Sequence, residues 1–238
     1  MIAQCEETPP GTSHDLHGVC RCNVGALVDL SGWSEELSKV TPLSIFAEDQ
    51  EYAQYRNILE DDTMGGFPFS QVFKAIGPCL TANFVDDVDE LRLDDAFAIH
   101  YNEDHHDTKV GRHTDPSDIT VNLCIGRSAD LEGSEVLFHG TQNLKDGGDE
   151  EFVEGPSSLS FHVAAEEGWA TVHWGKHPHQ VTGLKKGDRT NVVMTYVFKD
   201  ATKSLAQCAG CYSTTTDDDG TLCEAGRTRT RDQWPCSL

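Results

Sequence analysis

The chain has 238 residues, 37% of them hydrophobic, and a formal net charge of -22 from 40 acidic and 18 basic side chains. That length supports one sizeable core rather than two large domains. The acidic surface excludes general binding to phosphate backbones. No apolar run approaches the roughly 20 residues of a membrane span.

The first residues, Met1-Ile2-Ala3-Gln4-Cys5, lack the basic and apolar regions of a signal peptide, although a truncated chain would read the same. The reading favours a soluble intracellular protein, and the cysteine-rich ends keep a secreted one open. The -22 charge reads first as a solvated surface. The sharper alternative is an acidic groove for a basic peptide.

Residues 1–30 are polar, with Pro9-Pro10-Gly11 and a Cys20-Arg21-Cys22 pair, and read as a loop-rich arm. Residues 31–95 read as helical support. Ser31 or Ser34 can cap a short helix through Leu37, and residues 48–59 space apolar side chains as an amphipathic helix does. Gly65-Gly66 and Pro68 mark a loop. Ser70 then caps a helix over 71–76, stopped by Gly77-Pro78.

After this the period changes to two. Residues 96–101, 118–125, 135–138, 158–163, 170–174, 180–182 and 190–198 read as short strands. In the second, Ile119, Val121, Leu123 and Ile125 share one face and Thr120, Asn122 and Cys124 the other. This predicts a mainly β protein, a double-stranded β-helix (jelly roll) over 96–199 with supporting helices before it. Residues 144–154 are acidic and Gly-rich and read as a surface loop. The tail, 200–238, carries Cys208, Cys211, Cys223 and Cys236 among few apolar residues. A structural zinc, disulfides and free thiols are its three readings, and Cys20 and Cys22 suit either cross-linked one. Cys79 and Cys124 read as plain buried thiols.

The candidate chemistry centres on His113-Thr114-Asp115. Two histidines and one carboxylate on one face of an ion leave the opposite face open, as in the facial triad of Fe(II) oxygenases. For this pair alone the rival reading is a surface turn, because Asp115-Pro116-Ser117-Asp118 suits one. His173, His177 and His179 compete for the third position. His179 is preferred because Gly183 to Asp188 reads as a hairpin turn that brings Arg189 alongside it. A guanidinium in such a cavity calls for a carboxylate.

The chain resembles the Fe(II)- and 2-oxoglutarate-dependent dioxygenase superfamily over residues 96–198. Within it, the likeness is greatest to prolyl and lysyl hydroxylase-type domains and to the 2-oxoglutarate and iron-dependent oxygenase domain-containing proteins. The residues that carry it are Phe97-Ala98-Ile99-His100-Tyr101, then His113-Thr114-Asp115 and the strand after it. They continue with Leu131-Glu132-Gly133-Ser134-Glu135-Val136-Leu137-Phe138, then His177-Pro178-His179-Gln180-Val181, and finally Gly187-Asp188-Arg189-Thr190-Asn191.

The resemblance implies Fe(II) on His113, Asp115 and His179, with Arg189 holding the distal carboxylate of 2-oxoglutarate. It implies co-substrate contacts for Tyr101, Asn191 and Thr120, and ascorbate as an auxiliary reductant. The implied reaction hydroxylates a substrate C–H bond and releases succinate and CO2. The implied substrate is a prolyl or lysyl side chain of a protein or peptide. Small-molecule oxidation and a non-catalytic metal-binding module on the same fold are the alternatives. Two departures stand out. Gly133-Ser134 replaces the usual glycine pair, and the loop between Tyr101 and His113, with His105 and His106, is about three residues longer than the common pattern.

Overall fold

The computed structural model describes residues 5–7, 19–38, 54–59, 66–104, 108–139 and 160–204. The expected acidic loop 144–154, His105 and His106, and the tail cysteines Cys208, Cys211, Cys223 and Cys236 lie outside the described residues. Among the described residues no helix is long and apolar enough to cross a membrane.

In chain order the elements are β1 (Cys5–Glu7), β2 (Val19–Asn23), α1 (Trp33–Ser38), β3 (Gln54–Asn57) and α2 (Phe69–Asn83). They continue with β4 (Leu91–Asn102), β5 (Val110–His113), β6 (Ile119–Arg127), β7 (Glu132–Gly133) and β8 (Val136–Phe138). The last are β9 (Phe161–Val163), β10 (Trp169–Trp174), β11 (His179–Val181), β12 (Leu184–Lys186) and β13 (Asp188–Phe198). Seven strands form a major sheet in the order β1-β2-β10-β6-β13-β4-β3, and four form a minor sheet in the order β5-β11-β8-β9. β7 and β12 pair separately. All these pairings are antiparallel, and the double-stranded β-helix expected from the strand pattern is the observed fold.

Alternation along each strand divides the molecule. Ile119, Val121, Leu123 and Ile125 join Ala170, Val172 and Trp174, and Val192, Met194 and Tyr196, in one buried cluster on the outer face of the major sheet. α2 covers that cluster. Its buried residues, Val72, Ala75, Ile76, Cys79 and Leu80, recur at helical spacing. The inner faces enclose two smaller apolar clusters. One is Val19, Val136, Phe138, Phe161 and Val163, and the other Ile99, Tyr101, Val181 and Val193.

Four local expectations are corrected. α2 does not stop at Gly77-Pro78 but runs to Asn83, and Pro68 rather than Ser70 stands at its N-cap. A proline inside a helix costs about 3 kcal/mol. Burial of Cys79 and Leu80, on the stripe begun by Val72 and Ile76, offsets that cost. The second correction is at 54–57. These residues were expected in a helix, but they form β3 against the free edge of β4, with Gln54 opposite His100. Ladder hydrogen bonds to a distant strand outweigh weak local propensity there. Third, part of the expected loop-rich arm is β2, paired with β10 from Val19 opposite His173 to Asn23 opposite Trp169.

The fourth correction concerns Cys79, which is bonded to Cys20 rather than being a plain thiol. The Cys22 sulfur lies within 4.8 Å of both. The bridge joins β2 to α2 across 59 positions of sequence. Closing so long a loop restricts the unfolded chain and should contribute about 2–4 kcal/mol. Treatment with a dithiol is therefore expected to lower the midpoint of urea unfolding. An unchanged midpoint, with the thiols shown to be reduced, would count against the bridge as a stabilising element.

Candidate metal centre

The minor sheet places two histidines opposite each other. His113 ends β5 and His179 begins β11, and they are direct cross-strand partners in the register. Their ring centroids are 4.3 Å apart. Asp115, two residues past the end of β5, brings its carboxylate between them. Oδ1 lies 3.4 Å from His113 Nε2 and Oδ2 lies 3.8 Å from His179 Nε2. One donor atom from each of the three residues lies within 4.8 Å of the others.

The surroundings orient the donors. His113 Nδ1 hydrogen-bonds to the Gly111 carbonyl at 2.8 Å, and His179 Nδ1 to the His177 carbonyl at 2.9 Å. A carbonyl only accepts, so each Nδ1 carries the proton and each Nε2 presents a lone pair. Thr120 Oγ1 donates to Asp115 Oδ2 at 2.6 Å, and Ser117 Oγ lies 2.9 Å from Thr120 Oγ1. The Asp115 loop is clamped to the end of β10, where Asp115 N donates to Gly175 O at 2.8 Å and Gly175 N to Asp118 O at 2.9 Å. A Cβ at Gly175 would meet Ser117 O at 2.1 Å, so only glycine fits there. Sequence reasoning passed over Gly175; a glycine directly after an apolar strand and two residues before His177 was the signal available.

Burial raises the Asp115 carboxyl pKa, but the interaction with His179, the hydrogen bond with His113 and the nearby His173 outweigh it and hold the group well below the carboxylate range. Burial also lowers His179, against the pull of Asp115. At His113 burial is outweighed by the hydrogen bond and charge of Asp115, and its pKa rises. His173 faces the same space from β10. Its ring centroid is 4.6 Å from that of His179, its Nδ1 bonds to the Trp174 carbonyl at 2.9 Å, and burial with the His179 ring pushes it down to about 3. His177 is fully buried and serves His179 through its backbone carbonyl.

Arg189 lies in the major sheet. The expected hairpin is corrected here. β11 belongs to the minor sheet and β13 to the major one, so His179 and Arg189 stand on different sheets rather than along one hairpin. The residues between them hold the short strand β12, which pairs with β7. That crossing is what the two-sheet fold requires of successive strands.

Arg189 is 2% exposed, and its Nη1 donates to the Ser134 carbonyl at 2.7 Å. Its guanidinium carbon lies 5.0 Å from the ring centroid of Tyr101, its register partner on β4. Among the described residues no carboxylate pairs with it, and Arg189 Nε is buried without a partner. Burial pushes its pKa below the ordinary guanidinium value, yet an arginine remains a cation. Ser134, where the family resemblance leads one to expect a glycine, has a left-handed backbone with φ of 56°. A side chain there is strained by about 1 kcal/mol or more, and the carbonyl so presented is the acceptor for Arg189. Asn191 Nδ2 donates to Asn122 Oδ1 on the same inner face. A pocket adjoins, lined by Asn122, Cys124, Thr171, Arg189 and Asn191 among others. Thr120 is placed by its bond to Asp115 at the metal end.

The fold and donor set define a double-stranded β-helix protein with a His-X-Asp…His centre and a buried arginine on the other sheet. Comparison with known proteins agrees with the resemblance read from the sequence. The chain is 29% identical over 138 residues to the 2-oxoglutarate and iron-dependent oxygenase domain-containing protein CP2 of Arabidopsis thaliana, covering 56% of this chain and 30% of that protein. It is 28% identical over 98 residues to ICU11, described in the same words, from the same plant, covering 41% and 23%. The chain thus spans less than a third of the curated relatives it matches. No family model matches it.

Among solved structures it is similar to HygX from Streptomyces hygroscopicus with nickel and 2-oxoglutarate bound, with a TM-score of 0.52, 13% identity and coverage of 78% of this chain and 85% of that one. It is also similar to the epimerase SnoN in complex with Fe3+, alpha ketoglutarate and nogalamycin RO, with a TM-score of 0.52, 15% identity and coverage of 77% and 80%. These likenesses establish the shared fold.

Proposed function

We propose that the chain is an Fe(II)- and 2-oxoglutarate-dependent dioxygenase that hydroxylates a substrate C–H bond and releases succinate and CO2. The observation that carries this reading is a His-Asp-His donor set on one sheet together with a buried arginine on the other whose Nε has no partner. The donor chemistry fits the metal. Two imidazoles with Nε2 lone pairs and one ionised carboxylate suit Fe(II) and leave coordination positions open. The arginine fits the co-substrate, because the buried Arg189 Nε and Ser134 Oγ are donors in need of an acceptor. Bound iron would supply the activation of dioxygen.

The chain's own residues orient, neutralise and exclude water. His113, Asp115 and His179 hold the ion, and Thr120 fixes the Asp115 carboxylate through its hydroxyl. Arg189 holds the distal carboxylate of 2-oxoglutarate, with the Tyr101 ring against its guanidinium. Asn191 and Asn122 form the polar wall of the cavity. Ascorbate is the reductant we assign to side turnovers.

The finer reading is a prolyl or lysyl side chain of a protein or peptide as the substrate. The resemblance in the core motifs supports it, and a chain of net charge -22 suits a basic partner. A second reading, oxidation of a small molecule, has the support of the solved neighbours, since SnoN is described with nogalamycin RO bound.

The test is an anaerobic titration of the Fe(II)-loaded chain with 2-oxoglutarate. A weak visible charge-transfer band is expected, followed in air by succinate release that prolyl or lysyl peptides stimulate. No band and no succinate with any substrate class would sink the enzyme reading. Metal binding without succinate release would leave a metal-binding module.

A further inference from the structure

The geometry points to Arg21 as a second carboxylate-binding group of the cavity that Arg189 lines, so that two guanidiniums receive the distal end of a dicarboxylate. This assignment rests on the co-substrate reading above and extends it to a residue from outside the motif-bearing core.

The placement follows from alternation along β2. Cys20 and Cys22 face outward into the cluster beneath α2, where Cys20 is bonded to Cys79. Arg21, between them, faces inward. Its register partner on β10 is Thr171, and the partner of Thr171 on β6 is Asn122. All three line one pocket, together with Arg189 and Asn191. β2 thus closes one side of the barrel and delivers a cation to the polar wall.

Charge and burial separate this arrangement from an ordinary surface ion pair. The Arg21 side chain is 11% exposed, and its Nε is buried without a partner. Its guanidinium lies 5.0 Å from the centroid of the Trp169 ring, which also lines the cavity and fixes the plane of the fork. Among the described side chains its one carboxylate partner is Glu166, which lies 3.3 Å from Nη1 and is 48% exposed, so it holds Arg21 weakly. Among the described side chains, two guanidiniums therefore line this pocket with one half-hydrated carboxylate. That imbalance is resolved by an anionic guest. Glu166 shows where one carboxylate sits against Arg21 and competes with a guest for it.

The experiment uses the full chain and two probes. The first is 2-oxoglutarate, titrated anaerobically against the Fe(II)-loaded protein and read by the charge-transfer band. The second is glutarate, which keeps both carboxylates but lacks the chelating keto group, measured by equilibrium dialysis against metal-free protein. 2-Oxobutyrate, which lacks the distal carboxylate, is the control for the chelating end. Arg21→Gln is expected to weaken 2-oxoglutarate and glutarate about 10-fold, the size of one lost charge-assisted hydrogen bond. It should leave 2-oxobutyrate and iron retention unchanged.

Arg21→Lys should recover part of the loss, and Glu166→Gln should tighten both dicarboxylates several-fold by freeing Arg21. Wild-type affinity for glutarate and 2-oxoglutarate in a folded Arg21→Gln protein would overturn the assignment. So would equal weakening of 2-oxobutyrate, which would mean that Arg21 acts only through the fold. A wild-type chain that gives no band but binds glutarate in an Arg21-dependent way would overturn the dioxygenase reading and uphold this one.

Discussion

His179→Ala is expected to abolish iron retention, whereas His177→Ala is expected to keep it. The two histidines are two positions apart and both are buried, but they serve the centre differently. His179 presents Nε2 to the space beside Asp115 Oδ2, 3.8 Å away. His177 contributes its backbone carbonyl, which accepts from His179 Nδ1 at 2.9 Å, and alanine carries the same carbonyl. Loss of a partner outside the ligand set typically costs 10–100-fold in metal affinity, so loss of a ligand should exceed about 100-fold. Iron per chain after dialysis against a weak chelator measures the difference. Wild-type iron content in His179→Ala, or its loss in His177→Ala alone, would show that the third ligand has been misplaced.

Arg189→Ala should leave iron content intact and weaken 2-oxoglutarate by roughly 100-fold or more. The magnitude follows from removing one partner of a buried, hydrogen-bonded charge pair, which costs about 2–5 kcal/mol. Arg189 is 2% exposed, donates to the Ser134 carbonyl and lies against Tyr101. The fold should therefore survive the change, because the guanidinium has no ion pair among the described residues to break. The readout is the 2-oxoglutarate concentration at half-maximal charge-transfer absorbance, with Arg189→Lys recovering part of the affinity. Unchanged affinity in a folded Arg189→Ala protein would remove Arg189 from the co-substrate site.

Much of the barrel was legible because its strands announce themselves at period two. Ile119, Val121, Leu123 and Ile125 do face the outer core, and Thr120 and Asn122 face inward, as alternation predicts. Strand ends were less legible. β4 begins at Leu91 rather than near residue 96, because Arg92, Asp94 and Asp95 interrupt the apolar alternation, while the backbones of Arg92 and Asp95 still pair with β13 on either side of a bulge at Asp94. α2 was cut short at Pro78 because a local rule weighs the missing N–H and cannot weigh the buried Cys79 and Leu80 beyond it. β2 was hidden because five residues flanked by polar text show no period of their own. Its place comes from β10, which had an unpaired edge to fill.

The sequence by itself determined the run of core strands along the chain and, through the motif it shares with a known family, the candidate donors His113, Asp115 and His179, since these depend on residue type and local pattern. Only the tertiary structure decided that His113 and His179 are cross-strand partners, that Arg189 stands on the other sheet, and that Arg21 lines the same pocket as Arg189. The physical reason is common to all three. Backbone pairing between segments tens of residues apart is selected by burial and hydrogen-bond closure of the whole barrel, which no single stretch encodes.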